Sequence, residues 1–258
     1  FYENFNCIFT QYEEKEKYKV EIIFSIKRDL DFFISFCNNS VNFKENLLAS
    51  LVGNPTVKTF KSEEADNWIK FLSPVSVGSN YKIIAPWDST GSNNEIIINP
   101  SIAFGTGHHE TTSSCLELLL KIKYIFSLEK KIDSILDIGT GSGILSIFSL
   151  KVFKSQITGI DNDYDAIEQA KKNLKLNTNL SNIDFQLNEL NNTKNTYDLI
   201  IANISIEYLL LNIYKMYEKL NPNSFLLISG FLFTRISSLN LLLIEEKFSI
   251  MSIIHKND

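Results

Sequence analysis

Asp137 and the glycines at 139, 141 and 143 make a spacing suited to holding a ligand against bare backbone. In Ile135-Leu136-Asp137-Ile138-Gly139-Thr140-Gly141-Ser142-Gly143-Ile144-Leu145 an apolar run reaches an acid, three glycines alternate, and an apolar helical pattern begins. The stretch reads as a strand, a tight turn and a helix N-terminus. Glycine removes Cβ atoms, so the backbone can approach a ligand closely. The helix start adds N–H groups that have no partner within the helix. A second short strand, Gln156-Ile157-Thr158-Gly159-Ile160-Asp161, also ends in an acid, 18 residues beyond Gly143. A carboxylate there can accept two hydrogen bonds from the vicinal hydroxyls of a ribose. Asp161 could instead cap the next helix, as could Asp163 and Asp165. Because Asp161 ends the strand itself, it takes the ribose role.

The glycine spacing separates two ligands. A dinucleotide site has G-x-G-x-x-G after an apolar strand. Here the spacing is G-x-G-x-G, and the charged Asp137 stands two residues before it. The pattern D-x-G-x-G-x-G resembles the first motif of the S-adenosylmethionine-dependent methyltransferases. That resemblance implies Asp137 near the methionine part of the cofactor, with Gly139, Gly141 and Gly143 making room for it.

The elements that must position these residues fall in two parts. Residues 1–61 read as a small α+β unit, with strands at Lys19 to Ile26 and Thr56 to Phe60 and a helix at Asp29 to Cys37. Ser62 to Phe71 reads as a linker helix ending before Pro74. Tyr81 to Ala85 and Glu95 to Ile98 are strands around a polar turn. From Thr112 onward helix and strand alternate. Helices are expected at Leu116 to Phe126, Gly143 to Val152, Tyr164 to Leu176, Ile206 to Leu220 and Arg235 to Glu246. Strands are expected at Ser134 to Ile138, Gln156 to Ile160, Ile183 to Leu187, Tyr197 to Ala202, Ser224 to Ser229 and Phe248 to His255. Alternation predicts a parallel sheet wrapped by helices. Runs such as Leu199-Ile200-Ile201-Ala202 are apolar throughout, as a sheet covered on both faces requires. Asp137, Asp161 and Asn203 all fall at strand carboxyl ends, where such sheets bind ligands.

Two further segments carry a family resemblance. They are Asn99-Pro100-Ser101-Ile102-Ala103-Phe104-Gly105-Thr106-Gly107-His108-His109-Glu110-Thr111-Thr112 and Ala202-Asn203-Ile204-Ser205. With Asp137 and Asp161 they closely resemble the PrmA family, enzymes that methylate protein eleven of the large ribosomal subunit. The resemblance covers roughly residues 62–258. It implies an α/β class I methyltransferase (Rossmann-like) domain at 99–258, a mostly parallel sheet with helices on both faces. Before it would come a linker helix and lead-in strands at 62–98 and a small α+β substrate-recognition domain at 1–61. The implied activity is that of a protein (lysine) N-methyltransferase, moving methyl groups from S-adenosylmethionine to lysine ε-amines and an α-amine. The implied cofactor contacts are Thr112, Gly139, Asp161 and Asn203. Phe104, Gly105, Thr106, Gly107 and His108 would form a loop over the active site, with Phe104, Thr106 and Asn203 as its catalytic residues.

This chain departs from the family in three places. Thr140 stands where cysteine is common, His109-Glu110 replaces a commoner pair, and the chain stops about where a last antiparallel strand is expected. The alternatives are a lysine methyltransferase acting on another protein, or an inactive cofactor-binding fragment of the same fold. His108 and His109 lack neighbours at ligand spacing, so no metal is expected. Thr111-Thr112 could cap the following helix. Cys115 reads as core rather than nucleophile.

Composition sets the bounds. The 258 residues hold one large domain plus a small one. A net charge of −5 and a pI near 5.4 argue against a general nucleic-acid binder. Three scattered cysteines form no disulfide or metal pattern, which points to a reducing cytoplasm. No apolar run reaches the ~18 residues of a membrane span. A cytoplasmic monomer that binds neither membrane nor nucleic acid directly, with a ribosomal protein as its substrate, is the expectation.

Overall fold

The computed structural model describes residues 7–14, 17–24, 73–100, 109–126, 131–177 and 181–255. The expected elements at Asp29 to Cys37, Thr56 to Phe60 and Ser62 to Phe71, and the segment from Ser101 to His108, lie outside them. The chain divides into two compact units, Phe1–Lys61 and Ser62–Asp258. In the first, β1 (Cys7–Glu14) and β2 (Lys17–Phe24) pair antiparallel, from Cys7 opposite Phe24 to Glu14 opposite Lys17. The sequence reading had only the second of these strands. β1 lacks a clean apolar alternation, and its partner completes it.

The second unit opens with a small sheet. β3 (Val75–Val77) pairs antiparallel with β4 (Tyr81–Ile84), and β4 pairs parallel with β5 (Glu95–Ile97). Glu95 organises the loop before it. Its carboxylate accepts from Ser89 Oγ, Thr90 Oγ1 and the backbone N–H of Thr90 and Gly91. These donors, Thr90 Oγ1 foremost, hold its carboxyl below the ordinary 4.5.

There follow α1 (Glu110–Phe126), β6 (Ser134–Ile138), α2 (Ile144–Phe153), β7 (Gln156–Asp161), α3 (Tyr164–Leu176) and β8 (Ile183–Leu187). The unit continues with β9 (Tyr197–Asn203), α4 (Ile206–Glu218), β10 (Leu220–Ser229) and α5 (Ile236–Glu245). Strands β10-β9-β6-β7-β8 make a five-stranded sheet, parallel throughout. Strand order reverses at β6, between β7 and β9, which opens a crevice at the carboxyl ends. The alternate residues of the strands explain why runs such as Leu199 to Ala202 are apolar throughout. Ile135, Ile157, Leu199, Ile201 and Leu227 pack into one layer with α1 and α2. Leu136, Ile138, Ile160, Ile200 and Ala202 pack into the other with α4 and α5. The expected α/β sheet with helices on both faces is therefore present.

Two expected strands differ in the structure for physical reasons. β10 starts at Leu220 rather than Ser224, and its register against β9 shifts between Leu220 and Phe225. Pro222, which has no N–H to donate, and Asn223, at φ 57°, sit in that irregular stretch. Phe248 to His255 forms no strand. Among the described residues β10 pairs with β9 on one side and with nothing on the other. The run does not join that free edge of β10. It is held instead by Phe248 N–H on Leu243 O (2.8 Å), by the edge of Tyr217 on the Phe248 ring, and by Lys121 Nζ on Ser252 Oγ. Among the described residues no helix is long and apolar enough to cross a membrane.

Candidate functional site

Strand register assembles the site. Ile138 lies opposite both Ile160 and Ala202, so the next residues, Gly139, Asp161 and Asn203, come level at the carboxyl end. Ser229 pairs with Asn203 and continues the row onto β10.

The turn after β6 is left-handed at all three glycines, with φ of 67° at Gly139, 53° at Gly141 and 78° at Gly143. That is the reason for their alternation, because residues with a Cβ rarely adopt this region. The turn is pinned from β7. The N–H groups of Gly139 and Thr140 both donate to Ile160 O, and Gly141 N–H donates to Asp161 Oδ2 at 3.0 Å. Asp161 Oδ1 accepts from Asp163 N–H, and Asp163 caps α3 by accepting from Asp165 N–H. The half-buried Asp161 carboxylate thus shapes the turn, while Asp163 provides the cap.

Asp137 is 1% exposed. Its Oδ2 accepts from Thr140 Oγ1 (2.8 Å) and Ser146 Oγ (2.7 Å), but its buried Oδ1 has no partner. Burial pushes its carboxyl above the ordinary 3.8; the two hydroxyls oppose that shift and the charge of Asp161 adds to it. Asn203 repeats the pattern one strand away. Its Nδ2 donates to Thr112 Oγ1 at 3.3 Å, while its Oδ1 is buried and unpartnered. Two acceptors without donors, on neighbouring strands beside a glycine turn, fit a ligand that carries N–H or cationic groups. Ile204 Cδ1 lies 3.1 Å from where a Cβ on Gly139 would stand, so that side chain walls the turn.

Helix α1 begins at Glu110, six residues before the expected start. Thr111 and Thr112 therefore lie inside its first turn, not at its cap. His109 Nδ1 receives the Thr111 N–H and pairs with Thr111 Oγ1 at 2.7 Å. Thr112 is buried and faces Asn203. Cys115 is fully buried, and burial pushes its thiol up to about 12, which leaves no thiolate at neutral pH.

Asp137, Gly139, Gly141, Gly143, Asp161, Asn203 and Thr112 thus converge on one end of the sheet. Phe104 and Thr106 lie outside the described residues. Ser146 and Gly230 were not singled out from the sequence. For Ser146 the signal was a hydroxyl on a largely apolar, buried helix, one it shares with Ser149. For Gly230 the reason is its approach to Ile204, which no local pattern encodes.

The family model described as "Ribosomal protein L11 methyltransferase (PrmA)" matches residues 3–258. A ribosomal protein L11 methyltransferase of Geotalea uraniireducens is 36% identical over 189 residues, which is 69% of this chain and 60% of that protein. Its namesake in Clostridium perfringens (strain 13) is 32% identical over 250 residues, 93% of this chain and 77% of the relative. The crystal structure of ribosomal protein L11 methylase from Lactobacillus delbrueckii subsp. bulgaricus aligns with a TM-score of 0.62 at 25% identity, covering 72% of this chain and 94% of that one. The chain spans 60% of the length of the Geotalea relatives it matches.

Proposed function

The chain belongs to the ribosomal protein L11 methyltransferase (PrmA) family, and from that premise we propose that it transfers methyl groups from S-adenosylmethionine to amines of ribosomal protein L11. The observation that carries this reading is the pair of buried acceptors lacking donors, Asp137 Oδ1 and Asn203 Oδ1, beside a left-handed glycine turn. S-adenosylmethionine supplies an electrophilic methyl group on a positively charged sulfur, together with an ammonium group and a ribose. Asp137 meets the cationic amino-acid end, its carboxylate held by Thr140 and Ser146. Asp161 takes the ribose hydroxyls, and the glycines keep side chains out of the way. Asn203 orients the acceptor amine or the cofactor, and Thr112 fixes its amide. Phe104 and Thr106 keep the acceptor-side role that the family resemblance implies.

Little acid–base chemistry is required of these residues, because the leaving thioether is neutral. The incoming amine must be unprotonated and in line with the methyl group, so orientation supplies much of the acceleration. A lysine has an ordinary pKa of ~10.4. Apolar walls such as Ile204 lower it by disfavouring the ammonium form. A ribosomal substrate puts this activity in the cytoplasm, carried out by a single chain.

Incubation of purified L11 with the protein and S-adenosylmethionine, followed by mass spectrometry, tests the reading. Mass gain in methyl steps on L11 lysines and its α-amine is expected. Gain on another protein alone would leave the chemistry and overturn the substrate. Calorimetry is expected to give a Kd on the order of micromolar, about −8 kcal/mol. Binding of NAD in place of S-adenosylmethionine would overturn the class.

Asp137 adds a prediction whose sign is set by its raised pKa. Without ligand, a carboxyl raised above 3.8 in the fold stabilises below that pH, and this contribution is lost as pH climbs through the folded value. Above that window the group is therefore a cost of the unliganded fold. A cationic ligand reverses that cost. Asp137→Asn is expected to melt at or above the wild-type temperature without cofactor, yet to bind S-adenosylmethionine about tenfold more weakly, the scale of one charged hydrogen bond. A variant that melts lower and binds normally would remove Asp137 from the site.

A further inference from the structure

A row of amides on α3 links the glycine turn to the segment that begins at Asn99. Asn177 Oδ1 accepts from Ile97 N–H at 2.9 Å, and its Nδ2 donates to Ile97 O at 2.8 Å. One turn earlier, Asn173 Oδ1 accepts from Asn99 N–H at 3.0 Å. One turn earlier again, Gln169 Nε2 donates to Asn99 O and to Asn173 Oδ1, both at 3.4 Å. The spacing matches. Four helical residues rise about 6 Å, and two extended residues span about 6.7 Å. Side-chain amides at 169, 173 and 177 therefore stand where a partner strand's backbone would stand, opposite Ile97 and Asn99.

Asn173 differs from the other two. It is fully buried, and its Nδ2 donates to Ser142 O, inside the glycine turn, at 2.8 Å. One planar amide thus binds the turn with its nitrogen and the start of the Asn99–Thr112 segment with its oxygen. The far end of that segment is tied as well, Thr112 Oγ1 by Asn203 and Thr111 O by Ser229 Oγ. Ile97 has a second anchor in β4, where it pairs with Ile84, and Ile98 N–H donates to Ile84 O at 2.9 Å. The Asn99 backbone bonds described here come from α3.

We infer that Asn173 is a positioning residue for methyl transfer: it sets the glycine turn, through Ser142, at a fixed offset from Asn99. This rests on the reading of the site as an S-adenosylmethionine-dependent methyltransferase. Loss of the bridge frees Ser142 of the glycine turn and Asn99 from each other while the sheet stays intact, so the cost falls on catalysis. Loss of Asn177 removes another buried amide from a strand that β4 still holds, so the cost falls on stability.

The test compares Asn173→Ala, Asn173→Asp, Gln169→Ala and Asn177→Ala in the full chain. Melting temperature, affinity for S-adenosylhomocysteine, and kcat and KM with L11 are the readouts. Asn173→Ala is expected to lower kcat about tenfold or more, the scale of a misplaced reacting group. Asn177→Ala is expected to lose a similar melting temperature with kcat within about twofold of wild type. Asn173→Asp keeps the acceptor for Asn99 and loses the donor to Ser142, and Gln169→Ala, at a half-buried position, removes the donor to Asn99 O and Asn173 Oδ1. If Asn173→Ala yields no folded protein, Gln169→Ala decides, expected to lower kcat about threefold or more at near-normal stability; Asn173→Asp, which buries a carboxylate against Ser142 O, is expected to melt lower. Asn173 variants that fold with kcat and S-adenosylhomocysteine affinity unchanged would make Asn173 a core amide only. Failure of the wild-type chain to bind S-adenosylhomocysteine would instead overturn the cofactor reading.

Discussion

Asp161→Ala is expected to weaken S-adenosylmethionine binding about a hundredfold, or ~2.7 kcal/mol at 1.4 kcal/mol per tenfold. The carboxylate acts twice. It is level with Gly139 in the strand register and half-buried, so it can accept the two ribose hydroxyls. It also latches Gly141 N–H at 3.0 Å. Truncation removes a charged acceptor, worth ~1.5–3 kcal/mol per hydrogen bond, and frees the turn on which the proposed site would lay the rest of the cofactor. Asp161→Asn preserves the shape and one acceptor, and is expected to lose about tenfold on the same scale. Stability should fall by only about 1 kcal/mol, because Asp163 keeps the α3 cap. Isothermal titration with S-adenosylmethionine and S-adenosylhomocysteine reads the affinities. Wild-type affinity in Asp161→Ala would remove the ribose assignment.

Gly230→Ala is expected to be the most destabilising single methyl in the described fold. At φ 93° its backbone is left-handed, and an added Cβ would stand 2.5 Å from Ile204 O, 2.8 Å from Ile204 N and 3.0 Å from Ile204 C. All three are backbone atoms, so no side chain can swing aside. Ile204 N–H donates to Ser229 O at 3.1 Å, so relieving the clash stretches the bond between the ends of β9 and β10. Strain and overpacking together are worth about 3 kcal/mol. For a domain of this size that is a drop in Tm of about 6–12 °C. Ile204 follows Asn203 and walls Gly139, so cofactor affinity should fall with it. Gly91→Ala is the control. Its φ is 80°, but nothing lies within 4 Å of its Cβ position, which leaves only the conformational cost of about 1–2 kcal/mol. Melting curves that place both variants together would mean that the approach of Ile204 to Gly230 carries no energetic weight.

Legibility in the sequence followed the range of the forces involved. β6, α3 and β8 have the expected bounds because the apolar run, the acidic cap and the turn that delimit each are local. The glycine turn was legible for the same reason, since alternate left-handed residues leave alternate glycines in the chain. The start of α1 was missed because its first turn is polar, and burial of Thr112 against Asn203 draws it into the helix. Phe248 to His255 was misread because its composition suits a strand but says nothing of a neighbour to pair with.

Asp137, Asp161 and Asn203 could be named as strand-end polar residues, and the family resemblance supplied roles for them. Their numbers did not show that Asp137 leaves one oxygen unpartnered, that Asp161 grips Gly141, or that Asn173 bridges the turn to Asn99. By itself the sequence determined the sheet class, the turn and the family, because backbone preference and apolar periodicity act between near neighbours. The tertiary structure alone decided which buried polar atoms are satisfied and which are left without a hydrogen-bond partner. That depends on groups 20 to 91 residues apart, Gly141 with Asp161 and Thr112 with Asn203, brought together only when the strands align.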